Sequence, residues 1–237
     1  MFQFKHFSVQ QDNSALKVGT DAMLLGACVA SENASSCLDI GAGTGVISLM
    51  LAQKNPALEI TAIEIDAASA IDCRANFSNS NWSKQLTCIE ADFLSWSSEQ
   101  QFDLIVSNPP FYQNSLLSNH ALTAQSKHAV FLPFEQLFEK VTRLLTENGV
   151  FWLIVPFQDL EFVSEIGNNN HLKCSQQIII EGKPGKQVRV LMAFQKHEQK
   201  LEKQTICIRT ENGNYTSQYI ELTKEFHSKN LYEQNKI

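Results

Sequence analysis

Ser36-Cys37-Leu38-Asp39-Ile40-Gly41-Ala42-Gly43-Thr44-Gly45-Val46-Ile47-Ser48-Leu49-Met50-Leu51-Ala52 decides the fold. Its first five residues read as a short buried strand. Three glycines at alternating positions follow, and then an apolar helical run. Glycine admits positive φ and lets a backbone approach a ligand closely. A strand, a glycine turn and a helix in this order open an α/β unit with a ligand site at the strand's carboxyl end.

Outward from this stretch the pattern repeats. Ile60–Glu64 reads as a second strand, 67–80 as a helix, Gln85–Glu90 as a third strand and Asp103–Val106, within the strand-like run Phe102–Ser107, as a fourth. A polar stretch, 112–130, shows no period; loops of this length inside a domain are usually functional. Phe134, Leu137, Phe138, Val141, Leu144 and Leu145 share one face of a helix. Gly149–Pro156 reads as a fifth strand, 158–168 as a helix, and Ser175–Ile180 with Val188–Phe194 as an antiparallel edge hairpin. Thr205–Ile208 and Tyr215–Phe226 read as a further short strand and a helix. Strands alternating with helices imply a doubly wound, mostly parallel sheet. There is no repeat and no interdomain linker, so 1–237 is expected to be one domain. Within it, 1–35 would be an N-terminal cap, 36–195 the core and 196–237 a C-terminal extension whose last ten residues fray.

Each of the first four strands ends on a distinctive residue. After the first come Gly41, Gly43 and Gly45. A dinucleotide fingerprint would place its third glycine where Val46 stands, and Asp39 would repel a pyrophosphate. That carboxylate instead suits the positively charged amino-acid end of S-adenosylmethionine. Glu64 ends the second strand, placed to accept the hydroxyls of a ribose. Asp92 follows the third, placed to accept from the amine of adenine, with Phe93 or Ile65 as an apolar wall. The fourth runs into Asn108-Pro109-Pro110-Phe111. Prolines fix φ and remove backbone donors, and the residue before a proline is held extended. The Asn108 and Pro109 carbonyls and the Asn108 side chain thus form stiff acceptors beside an aromatic face. They suit a planar molecule bearing NH2: adenine, guanine or a glutamine amide.

Bulk properties narrow the class. The 237 residues are 43% hydrophobic and 19% charged, ordinary for a soluble globular protein. No apolar run reaches the ~18–20 residues of a membrane span, and the N-terminus lacks the apolar core of a secretory signal. The six cysteines form no Cys-x-x-Cys pair and have no zinc-finger spacing. Neither a disulfide framework nor a metal site is expected, which fits a reducing cytoplasm. The net charge of −6 is uneven: residues 1–150 hold 8 Lys/Arg against 15 Asp/Glu, and 171–209 hold 8 against 3. A nucleic-acid partner would meet the C-terminal part.

These strand-end residues resemble the class I S-adenosylmethionine-dependent methyltransferases, a Rossmann-like α/β fold on a seven-stranded sheet, and within them the amino-methylating group with Asn-Pro-Pro-aromatic after the fourth strand. The resemblance implies that Asp39, Gly41, Gly43, Glu64 and Asp92 line the cofactor pocket. Lys17-Val18-Gly19-Thr20-Asp21 resembles the segment closing over the methionine end, which adds Thr20 and Asp21. The whole chain is similar to bacterial tRNA1(Val) adenine-N6 methyltransferases acting on position 37 beside the anticodon. Phe4-Lys5-His6-Phe7, Ser107–Phe111, Arg189–Phe194, Ile208-Arg209, Asn214–Thr216 and Leu222-Thr223 carry that likeness. Phe111 stands where Tyr is common; stacking survives and a hydroxyl is lost.

The resemblance implies that Asn108 and Pro109 accept the two N–H groups of the target amine while Phe111 stacks on the base and Pro110 stiffens the turn. RNA phosphates would meet Lys127, Lys183, Lys186 and Arg189, with the anticodon loop of a tRNA as partner and a monomer as the expected state. Guanine-N2 methylation of rRNA and cofactor-dependent RNA binding without catalysis are the competing readings.

Overall fold

The apolar run 36–40 becomes a strand because both of its faces are covered. In β3 (Ser36–Ile40), Cys37 packs on one side of the sheet and Leu38 and Ile40 on the other, all essentially inaccessible. Successive side chains of a strand point to opposite faces, so Asp39 shares the Cys37 side. The computed structural model describes residues 1–14, 17–109 and 132–234.

β3 lies inside an eight-stranded sheet, with two strands on one side and five on the other. On one side it pairs with β4 (Glu59–Glu64), which pairs with β5 (Leu86–Glu90); on the other lies β6 (Phe102–Ser107), followed by β7 (Leu145–Pro156). All these pairings are parallel. Neighbours on both sides of β3 make its carboxyl end the topological switch point, where α/β sheets bind ligands. The hairpin of β8 (Lys173–Lys183) and β9 (Lys186–Gln195) adds antiparallel through β9, as expected. The sheet exceeds the expected seven strands by one: β10 (Glu202–Cys207) adds parallel to β8 at the edge. Four of its six residues are exposed and only Ile206 is buried, so the strand starts earlier than the apolar signal at Thr205–Ile208.

α1 (Thr20–Cys28), α2 (Val46–Lys54) and α3 (Ala67–Ser78) contribute to the cluster on the Cys37 face, joined by α6 (Ser217–Thr223) and by Phe4 and Phe7 of the N-terminal segment. α4 (Phe134–Leu144) and α5 (Leu160–Asn169) cover the other face with Phe138, Phe151 and Phe194 stacked edge-on. Residues 2–3 and 8–9 form a small hairpin, β1 and β2, and α7 spans Leu231–Gln234.

The boundaries differ from the sequence reading mainly at β7. Its ladder begins at Leu145, with a register shift opposite Phe102 and Leu104 that absorbs Thr146–Gly149. A side chain on Gly149 would meet the Phe102 carbonyl at 2.9 Å, so the segment before the expected strand start is a close-packed bulge.

Candidate active site

The glycine turn supplies the floor of the site. Gly41 and Gly43 have φ of 70° and 56°, and a Cβ on either would meet nothing within 4 Å. They are glycines for backbone conformation and for the open space beside them. Gly45 differs. Its φ is also positive, but a Cβ there would fall 2.5 Å from Phe77 and 2.8 Å from Cys73. It lets α2 start tight against α3, a packing duty that the glycine spacing alone does not announce.

Two acids stand over this floor. Asp39 is inaccessible, and its Oδ2 accepts from Ser48 Oγ at 2.7 Å. Its Oδ1 has no hydrogen-bond partner among the described residues. Burial raises its pKa to about 6, against the pull of Ser48, and the Glu64 charge adds to the rise. Glu64 accepts from the Gly43 N–H at 2.7 Å and the Asp66 N–H at 2.8 Å. Burial raises its pKa too, although these bonds oppose the shift. Neither acid has an ion-pair partner among the described residues. A buried, half-satisfied carboxylate costs several kcal/mol unless a donor or cation meets it. S-adenosylmethionine fits: it offers an ammonium, a sulfonium and two ribose hydroxyls to these acceptors.

Register places the remaining residues on the same edge. Ile40 pairs with Ile63 and with Ser107, so Glu64 and Asn108 each follow directly on the flanking strands. Ser107 Oγ donates to the Ile40 carbonyl at 3.0 Å, tying the ends of β6 and β3. Asn108 is half-buried and Pro109 buried. Pro110, Phe111 and Lys127, with the loop 112–130, lie outside the described residues. Asp92 lies two residues past β5, its Oδ1 accepting from the Leu94 N–H at 2.9 Å. Of the two apolar candidates, Phe93 packs in the core at 4% exposure while Ile65 presents 41% of its surface. Ile65 is therefore the residue available as a wall.

Thr20 is exposed and is the first residue of α1; the cap is Gly19, whose carbonyl accepts from the Met23 N–H. Asp21, expected on the cofactor, and Arg189, expected on RNA, are bonded to each other, Nε to Oδ2 at 2.9 Å. Lys183 and Lys186 pair across the exposed tip of the β8–β9 hairpin. The tip extends past the Arg189–Pro156 pair at the carboxyl end of β7, so it stands on the same edge of the sheet as Asn108.

Sequence reasoning missed three supports. Ser48, which holds Asp39, was visible as the lone polar residue among Val46–Ala52. Asp72 and Asn76 of α3 anchor the N-terminal segment: Asp72 accepts from the N–H and side chain of both Asn13 and Ser14, within 3.0 Å. Asn76 accepts from the Gln10 N–H and donates to the Gln10 and Thr44 carbonyls, the latter within the glycine turn. Lys140 of α4 caps the turn after Asp92 by donating to the carbonyls of Phe93, Leu94 and Trp96. These partners are distant in sequence, and no local pattern announces them. Among the described residues, no His/Cys/Asp/Glu cluster could hold a metal, and no helix is long and apolar enough to cross a membrane.

Comparison with known proteins identifies the family. Residues 13–163 match the family model of the methyltransferase small domain. A protein of Flavobacterium psychrophilum named tRNA1(Val) (adenine(37)-N6)-methyltransferase is 41% identical over 97% of this chain and 100% of its own. One of the same name from Bacteroides thetaiotaomicron is 36% identical over 95% and 96%. Among solved structures, a predicted O-methyltransferase of Agrobacterium tumefaciens superposes with a TM-score of 0.70 at 20% identity, covering 89% of this chain and 98% of that one; this shows the shared fold. The chain belongs to the methyltransferase small-domain family, and to the branch whose curated members are named tRNA1(Val) (adenine(37)-N6)-methyltransferase.

Proposed function

We propose that this enzyme methylates the N6 amine of adenosine 37 in tRNA1(Val), with S-adenosylmethionine as donor. The observation that carries the reading is the register of β3 and β6. It sets the Asn108-Pro109 acceptors one strand spacing, about 4.8 Å, from the glycine turn and Asp39, with Glu64 one strand further on. An amine acceptor site and a cation-binding cradle thus share one switch point.

Asp39 receives the ammonium of the cofactor's amino-acid end, and Glu64 its ribose hydroxyls. Asp92 and Ile65 hold the adenine. When bound, the cofactor supplies an electrophilic methyl group on a sulfonium. The N6 amine is a weak nucleophile because its lone pair is delocalised into the ring. Asn108 Oδ1 and the Pro109 carbonyl accept its two N–H bonds and turn the lone pair out of the ring plane. Asn108 and Pro109 would hold the nitrogen while this lone pair takes the methyl group, with the carbon–sulfur electrons leaving on sulfur, until its proton passes to water. The acceptors hold nitrogen most strongly as it becomes cationic, so they stabilise the transition state more than the ground state. Lys183 and Lys186 meet RNA phosphates, and an anticodon-loop base is less costly to extrude than one in a duplex.

The test is methylation of unmodified tRNA with labelled cofactor, followed by digestion and nucleoside analysis. N6-methyladenosine at position 37 is expected; N2-methylguanosine, or cofactor binding without transfer, would overturn the reading. Asn108→Ala should abolish turnover and leave cofactor affinity within a few-fold of wild type, as measured by calorimetry. Retained turnover would exclude the acceptor mechanism.

A further inference from the structure

Asp21 and Arg189 lie 168 positions apart, yet they form the most shielded ion pair among the described residues. Their side chains are 24% and 31% exposed, whereas both partners of every other described pair exceed 40%. Shielding matters because exposed pairs are screened and weak. The guanidinium is also held by its own strand, NH1 donating to the Val188 carbonyl at 2.9 Å. Asp21 sits in the first turn of α1, where the helix dipole favours a carboxylate and no side chain caps the end.

The pair joins two bodies with different duties. Arg189 sits at the base of the β8–β9 hairpin, opposite Pro156, and the hairpin carries Lys183 and Lys186 at its tip. Asp21 belongs to α1, which is packed hard against α2: a Cβ on Gly26 would meet Met50 at 2.6 Å. α2 in turn begins at Gly45, the end of the glycine turn. A continuous packed path therefore runs from the hairpin base through α1 and α2 to the floor of the cofactor site.

We propose that Arg189 is a positioning residue: through Asp21 it holds the RNA-facing hairpin in register with α1 and the glycine turn, so its loss weakens binding of both substrates. This rests on the function proposed above. It reassigns Arg189 from a phosphate contact to a tie within the fold.

The experiment compares wild type, Arg189→Ala, Asp21→Ala, the exchange Asp21→Arg/Arg189→Asp, and Lys183→Ala. Cofactor Kd is measured by calorimetry without RNA, and the KM for unmodified tRNA by methyl transfer. Each single change at the pair should raise both constants about three- to tenfold. The exchange should recover most of that loss, and Lys183→Ala should raise the tRNA constant alone. If Arg189→Ala raises only the tRNA constant while Asp21→Ala is inert, Arg189 is a phosphate contact and the proposal fails. It fails equally if neither single change has an effect, or if the exchange recovers nothing. Should the wild type bind cofactor without methylating tRNA, the functional reading falls, while the calorimetric arm still decides the tie.

Discussion

Asp39 destabilises the fold and serves the site. Its pKa stands at about 6 against an ordinary 3.8, so the folded chain holds this proton more tightly than the unfolded one. The stability linked to it is greatest below pH 3.8 and falls as pH rises through about 6, by roughly 3 kcal/mol on the scale of 1.36 kcal/mol per pKa unit. A bound ammonium reverses the preference by favouring the carboxylate. Cofactor affinity should therefore weaken as pH is lowered through about 6, with proton release on binding near and below about pH 6, fading at higher pH where Asp39 is already ionised; calorimetry in buffers of different ionisation enthalpy measures both. Asp39→Asn should lose that pH dependence and about tenfold or more in affinity, yet match or exceed the wild type in urea denaturation at about pH 7, because a buried charge is removed. A loss of both stability and affinity would show that Asp39 is only structural.

At the scale of elements, the site depends on an attachment that no helix or strand label reveals. Residues 10–14 have no regular structure, but Asp72 and Asn76 of α3 hold them by six hydrogen bonds, and Asn76 makes a seventh to Thr44. Burial opposes ionisation of Asp72, but its donors outweigh it and hold the carboxyl below its ordinary pKa. That contribution is present above the unfolded pKa and is lost as pH falls through the folded one. Asp72→Ala leaves the Asn13 and Ser14 donors without their acceptor, at about 1–3 kcal/mol for a broken buried network. Amide exchange at Asn13 and Ser14 should rise toward the rate of a free segment while Gln10, held by Asn76, and strands β3 and β6 stay protected. Unchanged protection at Asn13 and Ser14 would mean that the segment is held by other contacts.

Across the whole molecule, charge is sorted along the sequence. The cofactor half carries the acids, and the hairpin half carries the excess of Lys and Arg. The Lys183 and Lys186 tip extends three residues beyond Arg189, about 10 Å of strand, on the edge that holds Asn108. Lys183→Ala/Lys186→Ala should weaken tRNA binding at low salt and flatten its salt dependence by about 0.7 for each phosphate no longer neutralised. Filter binding across a salt series reads the slope. An unaltered slope would move the RNA face away from the hairpin.

The sequence by itself determined the α/β class, the central strand, the glycine turn and the acids at the strand ends. These are local signals: a period of apolar residues, a glycine spacing and a proline pair are fixed by covalent chemistry and short-range sterics. Asp39, Glu64, Asn108 and Asp92 were legible because strand ends converge by rule in a doubly wound sheet. Only the tertiary structure decided what each residue touches. It gave Gly45 a packing duty, turned Phe93 into the core and left Ile65 exposed, and bonded Arg189 to Asp21. It added β10 to the sheet and brought Asp72 and Asn76 to the N-terminal segment. Those assignments depend on contacts between residues far apart in the chain, and such contacts exist only once the two faces of the sheet have been buried.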